Sequence, residues 1–282
     1  MIQLSKSGLP MQMDEESGRI ILGEGLAMEG YAGKAAGKMA GLLADETDLE
    51  MVGEEPFYDV YRGIAYPEDR ELLKKHDYRY DITVIMPGQI NGECKKTSGH
   101  YHGWTPARTN TYAEVYEVIK GTALYILQKS TNFDTNDPSG LVVDDVILVT
   151  VPEGRTLLVP PNYGHCSVNI GEGPLVFSNL AYVPCPLHYD PVKYYHGMGW
   201  YAYRTPEGIS LKENSRYPHL PLPRYAAVKE NPELGITWGC PLYESFRKRP
   251  EAFAFLGDPD AYVQTIMDSL EFEGEFIRGE NV

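Results

Sequence analysis

Three histidines and a glutamate fall in short β-patterned segments at spacings that suit one metal ion. His100-Tyr101-His102 is an H-x-H triplet. On a strand, residues i and i+2 share a face, so both imidazoles can reach the same ion. Ala113-Glu114-Val115-Tyr116-Glu117 follows, with Glu114 and Tyr116 on one face and Glu117 on the other. The stretch Gly154-x5-Pro160-x-Asn162-x2-His165-x3-Asn169 then brings another histidine to a strand start. Three imidazoles and one carboxylate make a mixed nitrogen–oxygen donor set. That set suits iron, manganese, nickel or zinc and lacks the thiolates of a structural zinc site. An H-x-H alone also fits two exposed strand histidines, so the weight lies on the whole constellation.

The elements that must position these residues are strands. From about Phe57, β-rich runs recur every 8–15 residues between Gly, Pro and Asn: 57–66, 80–86, 113–119, 122–128, 142–151, 156–160, 165–170 and 174–182. Such spacing predicts a sandwich or barrel. Turns at Pro87-Gly88, Asn91-Gly92, Lys120-Gly121 and Pro152-Glu153-Gly154 punctuate the runs. Residues 194–203 offer a further strand. Residues 33–44 read as a short helix, weakened by two internal glycines at about 1 kcal/mol each. The tail offers helices at 241–249 and 259–270, the second opened by Asp258 and Pro259. The expected organisation is an N-terminal extension (1–50), a β barrel (51–190) and a C-terminal extension packed on it (191–282).

The 282 residues allow one large domain or two small ones. Lys+Arg minus Asp+Glu is 25 − 40 = −15, which argues against nucleic acid as the partner, since such binding needs a basic face. No apolar run approaches the length of a membrane span, and the opening residues lack a secretion signal, so a cytoplasmic protein is expected. Cys94, Cys166, Cys185 and Cys240 are scattered without a C-x-x-C and read as reduced thiols. The glycines follow turns, and no G-x-G-x-x-G nucleotide loop is present.

H-x-H, Glu114-x6-Gly121 and Gly154-x5-Pro160-x-Asn162-x2-His165-x3-Asn169 together resemble the two-part cupin motif. Asn162 stands where the motif has glycine, and asparagine tolerates a left-handed turn almost as well. The eleven residues between His102 and Glu114 are more than most cupins have. A closer resemblance, over about residues 50–190, is to the cupin-type glucose-6-phosphate isomerases. It rests on Thr97-Ser98-Gly99-His100-Tyr101-His102, Ala113-Glu114-Val115-Tyr116, Val159-Pro160-Pro161 with His165, and Val168-Asn169-Ile170-Gly171. Phe57-Tyr58-Asp59-Val60-Tyr61 and Thr83-Val84-Ile85-Met86-Pro87-Gly88 add to it.

That resemblance implies an all-β cupin double-stranded β-helix, or jelly-roll barrel, with short helical N- and C-terminal extensions. It implies a homodimer and one divalent metal ion per subunit, held by His100, His102, Glu114 and His165. Iron is the first candidate, with manganese, nickel and zinc as alternatives. The sugar phosphate would be bound by hydroxyls and backbone amides at Tyr58, Thr83, Thr97 and Gly99, and by Tyr182 and His188, where the spacing matches less closely. The implied reaction interconverts glucose 6-phosphate and fructose 6-phosphate, with Glu114 as the proton shuttle or, in the competing route, a hydride shift. A non-haem metal oxygenase and a non-catalytic sugar-binding cupin are the alternatives. The insertion 103–112, with Trp104 and Arg108, is either a solvated hairpin loop or a lid over the sugar.

Overall fold

The computed structural model describes residues 1–275 of the chain. Three small sheets of two to four strands flank its two largest sheets, which face each other. The larger runs, in order, Thr156–Val159, Glu114–Lys120, Leu175–Tyr182, Tyr78–Ile85, Pro56–Arg62 and Gly30–Ala35. The smaller runs Tyr163–Asn169, Thr122–Lys129, Asp145–Pro152, Arg224–Val228 and Leu270–Glu275. The Asp145–Pro152 and Arg224–Val228 strands are parallel, and the other neighbours are antiparallel. This is the all-β cupin architecture.

Period-two alternation sorts the side chains. Tyr125, Leu127, Ile147 and Val149 of the smaller sheet meet Tyr116, Val118, Leu157 and Phe177 of the larger one between the sheets. Their neighbours Leu124, Ile126, Val146 and Leu148 face outward, yet they too are buried, under Met39, Leu42, Leu43, Val192, Trp200 and Tyr217. The outer face of the larger sheet, with Tyr80, Ile82, Val115 and Ile119, is covered by Leu4, Met11 and Met13 from one end of the chain and Phe246, Phe253 and Phe255 from the other. Burial on both faces explains why runs such as Ala123–Leu127 are apolar at every position. Each fully buried Leu or Phe contributes about 1.5–3 kcal/mol.

The sheets reach beyond the span 51–190 expected for the barrel. Gly30–Ala35, Arg224–Val228 and Leu270–Glu275 come from the segments expected to be extensions. The helix expected at 33–44 is not formed. Gly30–Ala35 is an edge strand paired with Pro56–Arg62, and only Ala36–Met39 coils, as a 3-10 turn. Pairing to the sheet, fixed further by the Tyr31 hydroxyl donating to Asp59 Oδ1 at 2.6 Å, overrides the local alanine content. The tail helix at 241–249 forms as Leu242–Lys248. The second shrinks to Val263–Met267, because Leu270–Glu275 is drawn out as a strand against Arg224–Val228. The 194–203 strand is shifted to Trp200–Thr205, after a helical turn at Asp190–Tyr194. All four cysteines are free. No helix among the described residues is long and apolar enough to cross a membrane.

Candidate metal centre

Two short pieces of backbone bring the histidines together. His100 and His165 are paired across strands, each N–H donating to the other's carbonyl at 3.1 and 2.9 Å. Their rings are 4.7 Å apart, and His102 lies 5.2 Å from each of the other two rings. Glu114 opens the next strand, which turns at Gly121, φ 85°, to cross to Thr122–Lys129 in the facing sheet. A Cβ on Gly121 would lie 2.6 Å from the Pro174 carbonyl oxygen, so the motif's closing residue has to be glycine. Asn162 adopts φ 71°, the left-handed turn expected where the motif has glycine.

Glu114 Oε2 lies 3.1 Å from both His102 Nε2 and His165 Nε2 and accepts from the Tyr116 hydroxyl at 2.8 Å. Its other oxygen accepts from Asn179 Nδ2 at 2.8 Å. His102 Nδ1 sits 3.0 Å from the Tyr112 carbonyl, which orients the ring with Nε2 inward. All four side chains each offer a donor atom within 4.8 Å of the other three. Burial raises the Glu114 pKa, but His102 and His165 outweigh it and hold the carboxyl well below its usual range. Burial, then the other two histidines, pushes His100 well below the ordinary imidazole value. An ionised carboxylate thus faces three imidazoles, of which His102 and His165 have Nδ1 at 3.0 and 3.4 Å from backbone carbonyls, so that an Nδ1–H donated there leaves Nε2 a lone pair. Three imidazoles and a carboxylate gathered so closely form a donor set that could hold a divalent transition metal.

His100, His102 and Glu114 stand at the wall of a cavity of about 460 Å³, with His165 buried behind them. Tyr58, Thr83, Thr97, Gly99 and Tyr182 line it along with His100, His102 and Glu114. His188 does not. It pairs with Tyr101 across strands, and both rings turn outward onto Phe133, 5.2 and 5.0 Å away. Opposed residues on paired strands share a face, so His188 follows Tyr101 out, while Leu187 follows His102 in. The neighbouring Tyr189 takes the inward place, its ring 5.3 Å from His100. Lys34, Arg62, Arg79, Asp81 and Asn179 also line the cavity and escaped the sequence analysis. For Asn179 the signal existed, since it shares parity with Phe177 and Ala181 along one strand.

The insertion 103–112 is tied down. Asn162 accepts from the Thr111 N–H at 3.1 Å, and its amide donates to Asn110 at 2.8 Å. Arg108 pairs with Asp134 at 3.0 Å and lies over the Trp104 ring, and neither aromatic nor cation lines the cavity. In this structure the loop stands away from the cavity. His76 stacks on Tyr78, and His196 pairs with Glu46, both outside the cavity.

A two-sheet barrel with three histidines and a glutamate gathered at its inner wall defines a cupin. Residues 33–219 match the family model described as glucose-6-phosphate isomerase (GPI). The chain is 28% identical over 187 residues to the glucose-6-phosphate isomerase of Pyrococcus furiosus, covering 66% of this chain and 84% of that one. It is 28% identical over 227 residues to the Pyrococcus horikoshii enzyme of the same name, covering 78% and 98%. Against the Thermococcus kodakarensis one it is 32% identical over 148 residues, covering 52% and 66%. This chain belongs to the glucose-6-phosphate isomerase family.

Proposed function

We propose that this chain is a metal-dependent aldose–ketose isomerase that interconverts glucose 6-phosphate and fructose 6-phosphate. The observation that carries the proposal is the convergence of His100, His102, Glu114 and His165 on one another, three of them on the wall of a cavity rich in hydroxyls, in a chain of this family. In this reading those four residues hold one divalent ion, iron first, with manganese, nickel or zinc as alternatives. A bound ion would supply Lewis-acid polarisation of the substrate oxygens on C1 and C2. Thr83, Thr97, Gly99, Tyr58 and Tyr182 bind the sugar phosphate and fix the carbon chain. The enzyme acts as a homodimer in the cytoplasm.

Aldose to ketose conversion moves one hydrogen from C2 to C1 and one proton from O2 to O1. In the proton route Glu114 takes the C2 proton, leaving an enediolate whose remaining hydroxyl proton passes from O2 to O1, and returns its proton to C1. Asn179 holds Glu114 Oε1, and Tyr116 holds Oε2, so the carboxylate cannot swing away between the two transfers. Burial, then the Glu114 charge, keeps the Tyr116 hydroxyl far above its usual pKa, so it stays a donor. The test is metal analysis of the purified protein with a coupled fructose 6-phosphate assay before and after chelation. Activity that disappears on chelation and returns with iron or manganese supports the reading. Full activity in metal-free protein refutes it.

A further inference from the structure

The chain carries a net charge of −15, yet one corner of the cavity gathers lysines, with Glu54 and Asp59 lining an adjoining hollow that Lys34 and Lys38 also reach. Lys34 lies opposite Tyr58 on the Gly30–Ala35 edge strand, which is how a residue expected in a helix comes to face the cavity. Its ammonium donates to Ser98 Oγ and lies 5.8 Å from the centre of the Tyr58 ring. The Tyr58 hydroxyl also meets Ser98 Oγ, at 3.0 Å. Lys38 lines the same cavity, and Lys193 is close enough for its charge to be felt at Lys34. Burial, then Lys193 and Lys38, depresses the Lys34 pKa. None of the three takes part in an ion pair among the described residues.

Like charges crowded without an ion-paired partner are relieved by an incoming anion, more so by a dianion. The corner is placed for one, because Ser98 precedes His100 by two residues. A group held there sits next to the segment that carries two of the candidate metal ligands. Hydroxyls and backbone amides alone would have to bind the dianion against the field of an acidic protein. A half-buried ammonium removes that difficulty at the point of contact.

We propose that Lys34, seated on Ser98 and Tyr58 and flanked by Lys38 and Lys193, is the cationic anchor for the phosphate of the sugar phosphate. This rests on the isomerase reading for the identity of the sugar, but not for the anion. Lys34 fixes the phosphate, and Lys38 and Lys193 draw the dianion toward it. The anchor makes the enzyme discriminate against unphosphorylated sugars.

The experiment compares wild type with Lys34→Met and Lys34→Arg, by calorimetric titration with 6-phosphogluconate and inorganic phosphate and by fructose 6-phosphate kinetics. Loss of one charge-assisted bond should weaken 6-phosphogluconate binding and raise KM by roughly ten- to a hundred-fold. The kcat should stay within about threefold, as for binding shared by ground and transition states. Lys34→Arg should recover most of the affinity, and the salt dependence of binding should be shallower in Lys34→Met than in wild type. Should Lys34→Met fail to fold, Lys34→Gln keeps a donor for Ser98 and is read in the same way. Binding within twofold of wild type in Lys34→Met overturns the anchor, and so does an arginine variant as weak as the methionine one. A chain that isomerises normally with Lys34→Met unaffected refutes the anchor alone. A chain inert on fructose 6-phosphate whose phosphate binding depends on Lys34 upholds the anion site and refutes the isomerase reading.

Discussion

Glu117 is the perturbation whose size can be worked out most directly. It sits on the Glu114–Lys120 strand, three residues past Glu114, and points to the opposite face, where it is 4% exposed. One oxygen accepts from the Leu242 N–H at 3.2 Å, and Oε2 has no hydrogen-bond partner. Burial pushes its pKa up from 4.5 to about 8, against smaller opposing effects of Leu242 and Ser178. The folded protein therefore keeps this proton between about pH 4.5 and 8, where the unfolded chain has released it. Stability falls as pH rises through that window, by at most about 1.4 kcal/mol per unit, and levels off above it. At pH 7 the unfolded chain gains 7 − 4.5 = 2.5 units of ionisation free energy, about 3 kcal/mol, which the folded chain does not share. Glu117→Gln keeps an acceptor for Leu242 and removes the ionisation. The variant should unfold within about 1 kcal/mol of wild type near pH 5 and be about 3 kcal/mol more stable at pH 7. The assay is urea unfolding of both proteins at half-unit steps from pH 5 to 9. A difference between them that is constant across the range, or a variant that is weaker at pH 8, refutes the argument.

Further outcomes concern the candidate centre. His165→Ala and His100→Ala should each lose most bound metal by elemental analysis while retaining the far-ultraviolet dichroism of wild type. Glu114→Gln keeps one coordinating oxygen and removes the base. On the proton route it should hold much of its metal and lose about 10²–10⁴ in rate, whereas a variant that holds metal at near wild-type rate favours the hydride shift. Asn162→Gly should free the 103–112 loop by removing its bonds to Thr111 and Asn110, seen as faster protease nicking there with fructose 6-phosphate kinetics little changed. Equal nicking rates refute the tether.

The cluster of His100, His102, Glu114 and His165 was legible because it depends on strand parity and on short fixed spacings. His100 and His102, or Glu114 and Tyr116 against Glu117, are sorted by the same two-residue period in the chain and in the fold. The left-handed turn at Asn162 was legible for the same local reason. His188 was misplaced because its orientation is set across strands, by Tyr101, and not by its distance from Asn169. Lys34 was invisible for a related reason. GKAAGKMAGLLA has helical composition, and only pairing with Pro56–Arg62 turns it into an edge strand with a lysine toward the cavity. The tail failed likewise, where Leu270–Glu275 is claimed by Arg224–Val228.

Two departures from the cupin motif explain each other. The gap between His102 and Glu114 is long, and glycine is replaced by Asn162. In the fold the long gap is the loop that Asn162 holds, through its side chain and through its N–H donating to Thr111 Oγ1 at 2.6 Å. A glycine would satisfy the turn and keep the N–H bond to Thr111, but would lose the two side-chain bonds to the insertion, beside the strand that carries Glu114. The same strand is clasped from its other face, where Leu242 reaches Glu117 and the Leu242–Lys248 helix packs beside Phe253 and Phe255. The position of one carboxylate is thus set by an insertion on one side and by the C-terminal segment on the other. Both lie outside the short motifs, and both act on the residue those motifs name.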